Sequence, residues 1–401
     1  METRATVVSN ASSSRTAPTQ IHYLDLKAQF QAIRNDVMEA IARVMESQHF
    51  ILGTEVEQFE GEIAHYLGTP HAIACASGSD ALVLSLMAAG IGPGDEVITS
   101  PFTFVATAGS IARVGATPVF VDIDSETFNI LPAAVDAAIT TRTRAIIPVH
   151  LFGLPADMDC ISSIAARHAI PVIEDAAQAI GANYKNRAVG TIGQFGCFSF
   201  FPSKNLGGAG DGGLVVTNDS AMAEKLRMLR VHGSKKKYQH ELLGTNSRLD
   251  ALQAAILRVK LPHLQLWTNA RRVQAERYRG LFRELLGETD INIPSVPSSE
   301  YNHVYNQFTI RSNSRDELRN HLRTSGLPTE IYYPLPLHLQ PAFQYLGYEA
   351  GQLPAAEKAS REVLSLPIYP ELSEQHQQIL VREIAAFFVP STHAHSVRLN
   401  N

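Results

Sequence analysis

Apolar residues recur three or four positions apart at Leu26, Phe30, Ile33, Val37, Ile41 and Val44. This spacing predicts an amphipathic helix opening the ordered chain near Leu24. The pattern then changes. Short apolar runs occur at Glu96–Thr99, Thr117–Val121, Ala145–Val149, Pro171–Ile173 and Gly213–Val216. Helical stretches such as Met158–His168 separate most of them. Continuous apolar strands alternating with helices predict a largely parallel sheet covered on both faces. A long helix is expected from about Asp250, through Leu252, Ile256 and Val259, past Arg272 to about Leu285. Such a helix often connects domains. A second unit follows from Tyr301: a strand over Tyr305–Ile310, a helix, then another strand. Ser314 and Glu317 form a capping-box pattern ahead of Leu318 and Leu322, and Gly326 stops that helix.

Length divides this pattern. A chain of 401 residues fits two domains. The expected division is a tail over 1–20, a large domain over 21–265, a small C-terminal domain over 266–390 and a tail over 391–401. Met1 to Gln20 is rich in Ser, Thr and Ala without an apolar core, so it reads as a disordered tail rather than a signal peptide. No apolar run approaches the ~20 residues of a membrane span. The net charge of −5 argues against a general nucleic-acid surface. The cysteines Cys75, Cys160 and Cys197 show no metal-ligand spacing and read as reduced residues of a cytoplasmic protein.

Candidate chemistry centres on Lys204. It lies between the aromatic stretch Ser199-Phe200-Phe201-Pro202 and the glycine-rich run Gly207-Gly208-Ala209-Gly210-Asp211-Gly212-Gly213. A partly desolvated ammonium titrates lower and becomes a usable amine nucleophile. A solvated surface lysine is the plainer reading. A carbonyl cofactor for that amine would decide between them.

Ligands of open α/β sheets bind at the carboxyl ends of the strands, and three further segments belong there. Ser77-Gly78-Ser79-Asp80 opens a helix ending near Gly90; its N–H groups and hydroxyl suit a phosphate, or form an ordinary cap. Glu174-Asp175-Ala176-Ala177-Gln178 ends a buried strand with two acids, which is costly unless they are partnered. A carboxylate there can hold a proton on a heteroaromatic nitrogen, or pair with a basic residue. Phe102-Thr103-Phe104 offers an aromatic face for a planar ring, or simply core. Taken together they fit pyridoxal phosphate: phosphate in the helix cup, ring on the aromatic, pyridine nitrogen on aspartate, aldehyde on lysine as a Schiff base.

These motifs resemble the sugar aminotransferases of the DegT/DnrJ/EryC1/StrS family, fold-type I pyridoxal-phosphate enzymes, from Leu24 to about Phe388. The resemblance implies an α/β fold, with a mostly parallel seven-stranded sheet flanked by helices in the large domain and a smaller C-terminal α+β domain. It implies Lys204 as Schiff-base lysine and proton carrier, Asp175 on the pyridine nitrogen, Gln178 near the ring hydroxyl and Phe104 stacked on the ring. Gly78, Ser79 and Ser199 would hold phosphate, and Asn246 would reach in from the partner of a two-fold homodimer. Ser79 stands where threonine is common and keeps the hydroxyl. Arg248 would face substrate or cofactor phosphate. The implied reaction takes an amino group from glutamate, leaves pyridoxamine phosphate, and passes the group to a nucleotide-linked keto sugar in a ping-pong cycle. No metal is called for. Val231–Ser234, Asn246–Asp250 and Tyr332–His338 look most like members that aminate the 3-position. Lys235-Lys236-Lys237 is a candidate for the acceptor's diphosphate, with a solvated loop as the alternative. His303, Tyr305 and His338 are candidate substrate contacts, with a structural role as the alternative.

A regulatory or sensory protein that keeps the fold without catalysis is the rival reading, and some relatives bear such names. Loss of the lysine or the aspartate would mark it, and both are present. Pyridoxamine-dependent dehydratases of this kind carry histidine in place of the lysine. The Gly207–Gly213 run lacks the Gly-Lys-Ser/Thr ending of a Walker A loop.

Overall fold

The computed structural model describes residues 21–287 and 291–388; the tails expected at 1–20 and 391–401 lie outside the described residues. Strands run in the order His71–Cys75, Gly213–Thr217, Phe195–Ser199, Ile173–Asp175, then Thr143–Ile147, Glu96–Thr99, Thr117–Phe120. Parallel bridges Ile146↔Val172 and Val149↔Asp175 join the two ladders into one seven-stranded sheet. Only Gly213–Thr217 runs against its neighbours, Cys75 facing Gly213 and Cys197 facing Val215. The carboxyl ends of the other six therefore open onto one rim. His71–Cys75 and Phe195–Ser199 were not among the expected strands.

Both faces of the sheet are covered, as its apolar runs require. Val56, Phe59, Ile98, Ile146, Phe198 and Leu214 belong to one cluster, and Ile73, Leu84, Val97, Ile147, Val215 and Leu226 to another. Helix Gly78–Ala88 is buried almost all round, including Leu82, Leu84 and Leu86. A helix without a polar face is held by packing on every side, so its N-terminus is rigidly placed at the rim.

The N-terminal helix forms as two pieces, Leu26–Ala32 and Arg34–Ser47, broken at Ile33. The long helix also divides. Ala251–Lys260 passes through a 3₁₀ turn, Leu261–His263, into Leu264–Leu286. Pro262 lies at that turn, where a missing N–H costs least. Beyond it, Tyr278, Phe308, Leu318, Leu364 and Ile384 gather in a cluster of their own around the pair Phe308–Arg311 and Val363–Leu366. Here the strand is shorter than expected, because Tyr305 takes a left-handed φ of 45°. The capping box does not form. Ser314 is the N-cap residue of helix Arg315–Thr324 but makes no side-chain cap; its own amide donates to Ser312 Oγ at 3.2 Å. Gly326 follows the helix with φ +73°, as a stop requires. No described helix is long and apolar enough to cross a membrane.

Candidate active site

The two acids of Glu174-Asp175 separate, because successive strand residues face opposite sides of a sheet. Glu174 Oε1 accepts from the amides of Ile192 (2.7 Å) and Gly193 (2.6 Å). Its Oε2 accepts from the Gly190 amide at 2.7 Å and pairs with His150 Nε2 at 2.9 Å. His150 Nδ1 accepts from the Ala156 amide at 3.0 Å, which places the ring proton on Nε2. Glu174 is therefore a fully bonded structural carboxylate, and the basic partner weighed for this segment belongs to it.

Asp175 ends its strand at the rim and is 5% exposed. Thr107 donates its hydroxyl to Oδ2 at 2.7 Å, and the Ala177 amide donates to Oδ1 at 3.2 Å. Burial pushes the carboxyl above its ordinary range, against the pull of Thr107, Ala177, Lys204 and His150. Thr107 went unnoticed in the sequence. It comes from helix Ala106–Arg113, 68 positions away, and nothing local marks it.

Lys204 sits in the loop after strand Phe195–Ser199. Its amide donates to Phe201 O at 2.9 Å, and Gly208 N donates to Phe200 O at 2.8 Å, folding the loop back on itself. Gly207 is required there, since a Cβ would lie 2.4 Å from Pro202 O. Asn205 anchors the next position through Nδ2 to Val304 O at 3.0 Å. Burial lowers the Lys204 ammonium to about 8, opposed only by the charge of Asp175. An amine in that range is partly unprotonated near neutral pH.

The phosphate-cup candidates converge. Ser77 caps helix Gly78–Ala88 by accepting from Asp80 N at 3.1 Å, so Gly78 and Ser79 are its first two helical residues. The cap reading is thus correct for Ser77 and leaves the amides of the first turn pointing outward. A Cβ on Gly78 would meet Ser199 Cβ at 2.7 Å. Gly78 and Ser199 therefore form two walls of one cradle.

Gln178 is 8% exposed; its Oε1 accepts from Phe152 N at 2.6 Å and its Nε2 donates to Tyr333 Oη at 2.8 Å. The two phenylalanines of the Phe102 segment divide their roles. Phe102 is fully buried against Phe128, Phe152 and Tyr333, whereas Phe104 is 59% exposed. Only Phe104 offers a face to a ligand.

The remaining candidates do not share one position. Asn246 is exposed and Arg248 half-buried. Both line an open cavity of about 470 Å³ with Ala76, Gly210 and Asp211. Between them, buried Ser247 donates to Asp80 Oδ2 at 2.8 Å and ties this segment to the phosphate helix. His303, Tyr305 and His338 are 5%, 4% and 1% exposed. His303 and Tyr305 stack at 3.8 Å, and burial drives the His303 imidazole down to about 3. His338 Nε2 pairs with Glu357 at 3.2 Å. All three are buried in the described chain. The lysine run is a hairpin, Ser234–Lys236 against Gln239–His240, with Lys235 paired to Glu224 and Lys237 over the Tyr238 ring.

The rim thus brings together an amine of lowered pKa, a buried carboxylate and a helix-terminus cradle. Residues 31–385 match the DegT/DnrJ/EryC1/StrS aminotransferase family, and the chain belongs to it. It is 56% identical over 365 residues to a Geobacillus stearothermophilus protein named a pleiotropic regulatory protein, covering 91% of this chain and 98% of that one. It is 49% identical over 360 residues to a UDP-N-acetyl-3-dehydro-alpha-D-glucosamine 3-aminotransferase of Acidithiobacillus ferrooxidans, covering 90% and 96%. The crystal structure of Streptomyces venezuelae DesV in complex with a ketimine intermediate superposes with a TM-score of 0.89 at 45% identity, covering 92% of this chain and 99% of that chain.

Pyridoxal phosphate is the cofactor of this family, and the residues present fit it. The Gly78–Ser199 cradle has no room for a Cβ at Gly78, and buried Asp175 accepts two hydrogen bonds from the described residues. Among the described residues the Lys204 amine feels only the charge of Asp175 against its burial.

Proposed function

We propose that this chain moves an amino group from glutamate to the 3-keto group of a nucleotide-linked sugar, the two substrates using one site in turn. The observation that carries this reading is the gathering of Lys204, buried Asp175 and the Gly78–Ser199 cradle at one rim of the sheet, with the Lys204 ammonium lowered by burial. Bound pyridoxal phosphate supplies an aldehyde and an electron sink. Lys204 would hold the aldehyde carbon and, once displaced, take the proton from the donor's α-carbon and return it to the aldehyde carbon. Its pKa suits both directions of that transfer near neutral pH. Asp175 would hold the proton on the ring nitrogen. Gly78, Ser79 and Ser199 would bind the phosphate, Phe104 would cover one ring face, and Gln178 would face the ring hydroxyl. Asn246 would act from the second subunit of a cytoplasmic homodimer, with Arg248 beside the acceptor or the phosphate. The division into a large unit over 21–265 and a small one over 266–390 belongs to this proposal. The 3-position is supported by the name of the Acidithiobacillus relative.

The name of the Geobacillus relative supports a regulatory reading. The presence of both Lys204 and Asp175, with burial lowering the amine against the charge of the carboxylate, favours catalysis, because a sensor has no need of a depressed amine. The visible spectrum of cofactor-loaded protein, recorded before and after glutamate with Lys204→Ala alongside, tests the choice. Catalysis requires a cofactor band that glutamate abolishes in the wild type and not in the variant, with 2-oxoglutarate released. A protein that takes up no cofactor is the regulator.

A further inference from the structure

Gln178 makes both of its protein contacts to residues far away in sequence, and one of them, Tyr333, has no assigned part in the site. Its Oε1 accepts from the Phe152 amide at 2.6 Å, so the side chain cannot flip without setting its NH₂ against that N–H. Nε2 is thereby fixed toward Tyr333, whose hydroxyl accepts at 2.8 Å. An amide nitrogen has two hydrogens, and this contact uses one. The second makes no hydrogen bond to the described residues.

The partners are themselves held in costly shapes. Phe152 and Tyr333 take left-handed φ values of 56° and 58°, and their rings stack at 6.2 Å with planes 12° apart. Phe102 meets Tyr333 edge-on at 5.6 Å. Non-glycine residues hold such conformations only where their surroundings over-determine them. Tyr333 is carried by the C-terminal part of the chain, where Glu330 bridges Ser365. Leu337 N then ties the segment to Pro101 O at 2.8 Å, beside the Phe102–Phe104 loop. Asp175 and Tyr332 are the charged and titratable groups that act on Tyr333.

We infer that Tyr333 is a positioning residue for the cofactor, holding the Gln178 amide so that its remaining N–H meets the ring oxygen. This rests on the cofactor role proposed for Gln178. A donor on that oxygen stabilises its negative charge and lowers the pH at which the lysine-bound cofactor loses its proton.

The test is a pH titration of the visible band of cofactor-loaded protein without substrate. Tyr333→Phe, which removes one oxygen from an aromatic cluster, should raise the midpoint by about 0.5–1 pH unit. Gln178→Met should raise it at least as much, and the double variant no further, because both act through one N–H. Tyr333→His, which restores a polar ring edge and does not depend on Tyr333→Phe folding well, should recover part of the shift. A midpoint unmoved by Tyr333→Phe, or a double variant that sums the two shifts, overturns the role of Tyr333 alone. A midpoint unmoved by Gln178→Met overturns the role of Gln178 on which it stands.

Discussion

Thr107 donates its hydroxyl to Asp175 at 2.7 Å, across the gap between helix Ala106–Arg113 and the end of strand Ile173–Asp175. It is the shortest contact that the buried carboxylate makes, and it opposes the upward push of burial. Thr107→Val keeps the shape and removes the donor. The Asp175 carboxyl then rises further, and it is protonated at a higher pH. Activity that needs the carboxylate is lost as pH falls through that pKa, so the acidic limb of the pH–rate profile moves upward. A hydrogen bond to a charged group is worth ~1.5–3 kcal/mol, which predicts a displacement of about one unit or more. An unmoved limb would show that Thr107 does not support the charge.

Lys204 should be identifiable by its own titration. Modification of cofactor-free protein with an amine reagent, read residue by residue by mass spectrometry, should show Lys204 reacting with a midpoint near 8. Exposed lysines titrate at ~10.4. Asp175 raises the Lys204 pKa, so Asp175→Asn should move the midpoint lower still. A midpoint that rises in this variant contradicts the coupling.

Glu174 and Asp175 predict opposite phenotypes. Glu174→Gln sets an NH₂ group against N–H donors now satisfied by carboxylate oxygens, at Gly190 or at Ile192 and Gly193. Unsatisfied buried donors cost ~1–3 kcal/mol each, so the midpoint of urea unfolding should fall, while the protein that stays folded keeps its activity. Asp175→Asn should unfold close to wild type and lose about a hundredfold or more in rate, because the ring nitrogen loses its counter-charge. Equal losses of stability would erase the distinction.

Much of this was legible in the sequence, and the failures have causes. The runs ending in Ser77, Asp175 and Lys204 carry special residues at strand ends, which a linear reading can find. The strand leading to Lys204, Phe195-Gly196-Cys197-Phe198-Ser199, is not β-branched, is buried on both faces and so lacks alternation. Glu174 and Asp175 are alike as residues, and only the pleat tells them apart. The contacts of Thr107 with Asp175 and of Tyr333 with Gln178 cannot be read locally, because the partners lie 68 and 155 positions apart. His303, Tyr305 and His338 drew notice for their chemistry, and their burial could not be read from residue type.

The cradle predicts a steric test. Gly78→Ala would put its Cβ 2.7 Å from Ser199 Cβ, so a wall of the site must shift. Overpacking of this kind costs ~1–3 kcal/mol. Cofactor affinity should fall at least tenfold, with a smaller change in melting temperature. Ser199→Gly in the same chain removes the clashing atom and should restore the melting temperature, leaving affinity low for want of the hydroxyl. Full affinity in Gly78→Ala would mean that the phosphate binds elsewhere.

Asn246 allows the proposed sharing of a site between two subunits to be tested in solution. Its side chain is exposed on the described chain, in a cavity whose lining does not include Lys204 or Asp175. If it serves the partner's site, Lys204→Ala and Asn246→Ala damage different subunits of each site. A dimer with one chain of each kind then has one site with both defects and one wild-type site. Random pairing makes half of the dimers mixed, so the mixture should recover about a quarter of wild-type activity from two impaired parents. Activity equal to the average of the two parents would place Asn246 in the site of its own chain.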